Sequence, residues 1–560
     1  MPGRLLHAEG SGNYQQGGRY QKGIGDEEWG PVFHPERKNK VGERMKHFIV
    51  IDGGTQNIKA FIFDEKGNEV YGEAYPVSPY FATEPDFAEQ DAEQYLKITQ
   101  QVTRSAVENS HVPRDEFAAV AITTHRSTIV PVDENGRPVR PAITWLDERK
   151  TEGLKLPGGP LLSLAFRITG KTPILKEYQR RSKFNWLRKY EPESYDRTHI
   201  FLTISSHIFH ALTNQFKDSS SIVGVFPIDF KGLRWHPWKV VYQILGVERE
   251  KLPPLVSPAE IAGEVSEEGA KDFGVPQGLP VIIGAGDKQS ELLGAGAISN
   301  DVAEISYGTA AVIEILSNKY VEHPKMDFLT FGAAIPKHWV LEGFVGRGYW
   351  MVSWFRREFA KYEEEEAEKL GIEPEELLNR KMEEIPAGSM GLILQPYWHP
   401  RENDPPSKGA IIGFSGEHTR LHIYRAIVEG IAYELRRLGE IIQKHSGSKI
   451  RELRVGGGGS KSDEIMQITA DVFGLRTCRL HTSNLSALGA AIDATVALKI
   501  YDNFPEAVAN MVRVEETFTP REENARIYDR LFNEVYKKMY PALSPLHNKI
   551  AEITGYPKIT

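Results

Sequence analysis

Two stretches far apart in the chain share one layout. Residues 48–67, "FIVIDGGTQNIKAFIFDEKG", set two apolar, β-branched runs around an Asp-Gly-Gly-Thr turn. Residues 304–315, "EISYGTAAVIEI", set two similar runs around a Gly-Thr turn. Each reads as a β-hairpin, because Gly and Asp meet the backbone demands of a tight turn and β-branched residues fill a pleated surface. Thr55 and Thr309 fall at equivalent points of the two copies. A Gly-Thr pair between strands is common by itself, so the inference draws on what surrounds it. At 560 residues the chain exceeds what one hydrophobic core holds. Two related halves are therefore expected, the second beginning near residue 299.

Between and beyond the hairpins the pattern is mixed α/β. Strand-like runs such as "AAVAITTH", "STIVPVD" and "LPVIIGAG" alternate with helical patterns such as "DAEQYLKITQQVTRSAVENS" and "LHIYRAIVEGIAYELRRLGEIIQKH". The second of those keeps the spacing of one buried face. The acidic run "FAKYEEEEAEKLGIEPEELLNRKMEEI" reads as helical with a solvated face. Residues 1–44 are rich in Gly, Gln and charge and have no periodicity. Such a segment buries too little apolar surface to offset its ordering entropy, so a disordered or peripheral, dispensable extension ahead of Met45 is expected.

A net charge of −8 gives no reason to expect nucleic acid or an anionic membrane as partner. The single cysteine, Cys478, excludes an internal disulfide framework and suits a cytoplasmic location. No run approaches the ~18 apolar residues of a membrane span.

Three further segments carry chemistry. "LRVGGGGSKSDEIMQITADVFG" (453–474) is a strand, a glycine run and an amphipathic helix, a setting in which a ligand can approach backbone N–H groups at a helix start. Its spacing is neither that of a Walker loop nor that of a dinucleotide fingerprint. "LPVIIGAGDKQSELLGAG" (279–296) ends a strand in Gly-Ala-Gly and projects Asp287 before a helix. Asp287 reads either as an N-cap or as a general base, since an ordinary carboxylate is ionised at neutral pH. "ITTHRSTIVPVDENGRPVRPAITWLDERK" (122–150) offers His125, Arg126, Trp145, Asp147 and Arg149 at strand ends, a polar cluster beside an aromatic ring such as holds sugar hydroxyls. No HExxH or CxxC pattern is present, and the histidines are scattered.

With those segments in view, the chain resembles the FGGY family of carbohydrate kinases, over residues 46 to 540. The matches are ordered: "IDGGTQNIKA", "FAEQDAEQY", "ITWLDER", "GAGDKQ", "SYGTAA", "GAIIGFSGEHTRLHIYRAIVEGIAYE", "RVGGGGSKSDEIMQ" and "SALGAAIDA". The resemblance implies two related α/β domains of the actin, hexokinase and Hsp70 ATPase (ribonuclease H-like) fold around a cleft. Residues 45–298 would form an N-terminal domain with the sugar site, first phosphate loop and base, and 299–540 a C-terminal nucleotide domain, leaving 541–560 as a tail. It implies Asp287 as catalytic base and Asp52 as the residue serving magnesium. Gly54, Thr55, Gln56 and Lys59 would meet the transferring phosphate, and Gly308 and Thr309 would grip ATP from the other side. Gly457, Gly458, Gly459 and Asp463 would lie against the nucleotide. His125, Arg126, Ser127, Trp145, Asp287 and Lys288 would face the acceptor.

Compared with the glycerol kinase branch, Arg126 and Trp145 are kept, but Ser127 stands where that branch has Glu, Lys288 where it has Gln, and Val312 where it has an aromatic residue. Those departures argue against glycerol. Likeness to the xylulokinase and autoinducer-2 kinase branches implies a ketopentose such as xylulose, or a related keto sugar or polyol. A sugar acid remains open through Arg126 and Lys288, or else Lys288 pairs with a neighbouring carboxylate. A homodimer is compatible with the family. The fold also serves ATP-driven switch proteins without an acceptor, which the Asp287 and Arg126/Trp145 features argue against.

Overall fold

The computed structural model describes residues 44–159, 166–168, 172–401, 404 and 406–556; the expected extension, apart from Arg44, lies outside the described residues. Two large sheets organise the chain. The first comprises β1 (His47–Gly53), β2 (Asn57–Asp64), β3 (Glu69–Pro76), β4 (Phe117–Thr124), β5 (Ile261–Glu264) and β6 (Pro280–Gly286). The second comprises β7 (Val302–Tyr307), β8 (Ala311–Ser317), β9 (Leu329–Gly332), β10 (Trp339–Val345), β11 (Glu452–Gly457), β12 (Arg476–Leu480) and β13 (Val514–Phe518).

Across the first sheet, in the order β3-β2-β1-β4-β6-β5, neighbours pair antiparallel, antiparallel, parallel, parallel and antiparallel. Across the second, β10-β8-β7-β11-β12-β13 pair in the same sequence of senses, with β9 added beside β10. The two hairpins noticed in the sequence are thus β1–β2 and β7–β8, and they occupy the same place in two sheets of one topology.

Five helices matter to the site: α1 (Ala92–Asn109), α2 (Asp287–Gly294), α3 (Arg420–Ser446), α4 (Asp463–Phe473) and α5 (Leu485–Ala497). Side chains alternate between the faces of a strand. Ile49 and Ile51 therefore pack with Tyr95, Val102 and Ala106 of α1, while Phe48 and Val50 pack with Leu488, Ala491 and Ile492 of α5. Helix α5 follows β12 in sequence yet covers the first sheet. The second core sets Tyr424, Ile427 and Ile431 of α3 against Ile305 and Ile313. The acidic run forms helices Lys361–Leu370 and Pro374–Glu383. Its face is not wholly solvated, because Glu363 is fully buried and takes Arg420 at 2.5 Å, a partner that its desolvated charge requires.

Helices α2 and α5 touch backbone to backbone. A Cβ on Gly489 would come within 1.9 Å of the Ser290 carbonyl oxygen, and one on Gly294 within 1.9 Å of that of Leu485. Neither neighbour can yield, since both are main chain. Gly489→Val is expected to lower unfolding free energy by about 3 kcal/mol through overpacking, measured by denaturant melts beside Ala490→Val as a comparison. An unchanged midpoint for Gly489→Val would refute this contact.

Candidate active site

Parallel strands bring their carboxyl ends together, which is where open α/β sheets hold ligands. In the first sheet, Gly53 of β1 and Gly286 of β6 both pair with Thr124 of β4. Residues 53–56, 125–127 and 287 therefore leave the sheet side by side. In the second, Tyr307 of β7 pairs with Gly457 of β11, so the 308–309 and 457–459 turns are neighbours.

The first loop is held from behind. Gly54 N–H donates to the Asn57 carbonyl at 3.0 Å, closing the turn. The Gly53 carbonyl accepts from the His125 backbone N–H at 3.0 Å and from its ring Nδ1 at 2.9 Å. The Tyr95 hydroxyl of α1 donates to the Gly54 carbonyl at 3.0 Å. A Cβ on Gly53 would lie 2.8 Å from both Tyr95 Oη and Thr124 Cγ2, so no side chain fits there. His125 Nε2 meets Thr128 Oγ1 at 2.9 Å, and that hydroxyl oxygen accepts from Trp145 N–H at 3.2 Å. Trp145 closes the circuit, its Nε1 donating to Thr55 Oγ1 at 2.9 Å with the ring 42% exposed. Its exposed face is what an acceptor could stack on. Gln56 is exposed, and its carbonyl accepts from Val77 N–H at 2.8 Å.

Two of the residues expected at the acceptor turn inward. His125 is 4% exposed with both ring nitrogens engaged, and burial lowers its pKa, so it serves as a neutral brace of the phosphate loop. Lys288 turns inward to Glu291 at 2.5 Å and Ser306 at 2.7 Å. A buried ammonium needs a carboxylate, and Glu291 with Asp287 and Glu304 keeps it charged despite burial. Asp147 and Arg149 likewise leave the polar cluster. They pair with each other at 2.7 Å, Arg149 also takes Glu89 at 2.6 Å, and its guanidinium lies between the Phe87 and Trp186 rings.

Arg126, Ser127, Trp145 and Asp287 are the others expected on the acceptor side. Ser127 adopts a left-handed φ of 68°, and its hydroxyl faces Gly224. Asp287 is the first residue of α2, with Gly286 as the cap, so it is not the N-cap; among the described residues its Oδ1 accepts only from Lys288 N–H, at 2.9 Å. Its charge acts on Asp52, Tyr95, His125 and Arg126, which fixes all of them in one electrostatic neighbourhood. Asp52 sits opposite Lys59 in the hairpin register and is 8% exposed. Burial, aided by Asp287 and Glu291 and opposed by Lys59, pushes its carboxyl up to about 6.

Lys183 lies in the same region without any sequence signal having marked it. Its ammonium donates to the carbonyls of Thr144 at 2.5 Å and Ser127 at 3.3 Å, tying together the segments that carry Trp145 and Arg126. Burial lowers its pKa to about 8. Tyr95 and Glu342 were also unmarked, because each acts on a residue distant in sequence.

In the second half, the carbonyls of Gly308 and Thr309 accept from Tyr349 and Trp350 N–H at 3.1 Å each. Gly457 has φ 76°, and a Cβ there would strike the Tyr307 backbone at 2.6 Å. A Cβ on Gly459 would meet Tyr307 and Tyr349 at 2.8 Å. Gly458 alone faces open space. With a Cβ on Gly456 meeting Leu485 at 2.6 Å, the four-glycine run owes three members to packing and one to an open surface. Asp463 opens α4 behind the Ser462 cap, and its 68% exposed side chain pairs with Arg479 at 2.6 Å.

Two sheets of one topology, each presenting a Gly-Thr turn at its strand ends, are the architecture of the actin, hexokinase and Hsp70 ATPases, and here it belongs to a phosphotransferase with an alcohol group as acceptor. The chain belongs to the FGGY family of carbohydrate kinases, whose N-terminal domain matches residues 47–294 and whose C-terminal domain matches residues 303–498. The Escherichia coli sugar kinase YgcE is 28% identical over 88% of this chain and 93% of its own. A Bacillus subtilis gluconokinase is 28% identical over 90% of this chain and 98% of its own. The ligand-bound xylulose kinase from Lactobacillus acidophilus superposes with a TM-score of 0.76 at 21% identity, covering 90% of this chain and 99% of that one. Among the described residues, no helix is long and apolar enough to cross a membrane.

Proposed function

We propose that this chain transfers the γ-phosphate of ATP to a hydroxyl of an uncharged keto sugar, a ketopentose such as xylulose or a related polyol, with Asp287 as general base. The observation that carries the assignment of the base is the state of the carboxylates around the site. Glu291 is engaged by Lys288, Glu342 by Arg126 and Asp147 by Arg149, while Asp52 is desolvated. Among the described residues the Asp287 carboxylate accepts from the Lys288 backbone N–H and from no side chain. A base must be free to take a proton, and Asp287 is.

Phosphoryl transfer asks mainly for positioning and charge stabilisation. Thr55, fixed by Trp145, and the backbone of Gly54 would meet the transferring phosphate, with Lys59 adding charge. Thr309 and the open Gly458 would receive the nucleotide from the second half. Asp287 would accept the hydroxyl proton as the oxygen attacks phosphorus. Magnesium keeps several waters and needs only one or two protein carboxylates beside substrate phosphates. Asp52 fits that role, since its buried carboxylate has no hydrogen bond among the described residues and gains from a nearby cation. Among the described residues no group of three or more His, Cys, Asp or Glu is arranged to hold a metal by itself. Bound there, the ion would neutralise charge on the phosphates.

The uncharged acceptor is favoured because both cations near the base already have partners, Arg126 in Glu342 and Lys288 in Glu291. A coupled ADP-release assay over pentuloses, polyols, gluconate and glycerol is expected to give the highest kcat/KM with a pentulose. Preference for gluconate would replace that acceptor with a sugar acid. ADP release that no acceptor stimulates would point to the switch class instead.

A further inference from the structure

Four buried glutamates and two cations meet where the two sheets come together. Glu304 of β7, Glu314 of β8 and Glu342 of β10 are lateral neighbours in register, and none is more than 4% exposed. Glu291 of α2 stands close by, taking Lys288. Carboxylates so placed cannot all be ionised out of water. Burial and mutual repulsion push the carboxyls of Glu304 and Glu314 well up. Glu304 has no hydrogen-bond partner for its carboxyl among the described residues, while Glu314 leans on Glu342.

Glu342 differs, because it meets Arg126. Both its oxygens accept from Arg126 Nη2, at 2.7 and 3.0 Å. The guanidinium lies 4.1 Å from the Phe331 ring centroid, and with the Gln289 amide oriented to satisfy both its atoms, the Gln289 oxygen accepts from Nη1 at 2.9 Å. Arg126 also crosses directly over the turn into α2, since a Cβ on Gly286, the residue before Asp287, would meet its Cγ at 2.6 Å. A cation at this distance from the base would attract an acid group on the acceptor if it were unpaired. We propose that Glu342, reaching over from the second sheet, sets the charge preference of the acceptor site by neutralising Arg126, and so makes the site suited to an uncharged sugar and poor for an aldonic acid. It is a positioning and specificity residue and does not touch the reacting atoms. This rests on the reading of Asp287 and Arg126 as the acceptor side.

The test compares kcat/KM for gluconate and for xylulose in the full chain. Glu342→Gln keeps the shape and removes the charge. It is expected to raise the gluconate-to-xylulose ratio by about tenfold or more, the scale of one charge-assisted contact. Adding Arg126→Met should remove that shift, because Glu342 acts through Arg126. Adding Glu314→Gln should preserve it, excluding relay of the charge along the row. In the otherwise native chain, Arg126→Met leaves Glu342 as an unpaired carboxylate beside the acceptor and should lower the gluconate-to-xylulose ratio; this arm stands even if Glu342→Gln does not fold. An unmoved ratio in active Glu342→Gln overturns the proposal, as does a shift that survives Arg126→Met, or an unmoved ratio in Arg126→Met alone. The wild-type acceptor panel separately judges the uncharged-acceptor reading.

Discussion

Asp287→Asn is expected to lower kcat by about 10²–10⁴ with a small change in KM for ATP, the range associated with a positioned general base. Asparagine keeps the size of the side chain and can still accept from Lys288 N–H at the start of α2, so the helix should be undisturbed. The change isolates proton acceptance. ATP affinity should persist because the proposed nucleotide contacts lie on the 308–309 and 457–459 turns of the other sheet. Steady-state kinetics with the preferred sugar, together with nucleotide titration by calorimetry, separate the two. Turnover within tenfold of wild type would remove Asp287 from the base role, and Asp52 and Glu291 would have to be reconsidered. A parallel loss of ATP binding would instead mean that the substitution had disturbed the site as a whole.

What the sequence revealed, and what it hid, follows from the range of the interactions. The hairpins β1–β2 and β7–β8 were legible because alternation and turn residues are local signals. Their equivalence was legible because it repeats. The strand–glycine–helix unit at 452–473 was legible for the same reason, yet the division of labour within it was not. Only the packing against Tyr307 and Tyr349 distinguishes Gly457 and Gly459 from the open Gly458.

Residue type alone could not separate His125, which faces inward, from Arg126, which faces the site, because they are neighbours at a strand end. Nor could it tell that Lys288 spends its charge on Glu291 and Ser306. The bracing residues Tyr95, Lys183 and Glu342 act on partners 41, 56 and 216 positions away. No window along the chain contains such pairs. The helix α5 presents the same difficulty at the level of the fold. Its Ala- and Gly-rich pattern announces close packing, but not that it lies on the first sheet while the strands before it join the second.

Asp52→Asn should make the protein more stable and less active, and the two effects should separate with pH. In the folded chain without magnesium or nucleotide, the Asp52 carboxyl is raised from an ordinary value of 3.8 to about 6. A raised acid pKa means that the folded state holds its proton more tightly than the unfolded state does. The stability this confers is fully present below the unfolded value and is lost as pH rises through about 6, so above that the buried carboxylate works against folding. Asparagine never ionises. The variant and the wild type should therefore melt alike near pH 4 and diverge as pH rises, reaching about 2–3 kcal/mol in favour of asparagine at pH 7, at 1.36 kcal/mol per pKa unit. Urea melts at several pH values measure the divergence directly. Added magnesium and ATP should stabilise the wild type more than the variant, because a cation relieves the buried charge that asparagine lacks. Turnover should fall for the same reason. A constant offset at every pH would mean that the difference arises from packing, and an equal response to magnesium and ATP would take Asp52 out of the metal role. With the proposed metal role, Asp52 would be a residue whose unfavourable burial is retained for its chemistry: the carboxylate that works against folding in the free protein is the one a phosphate-bound cation would need.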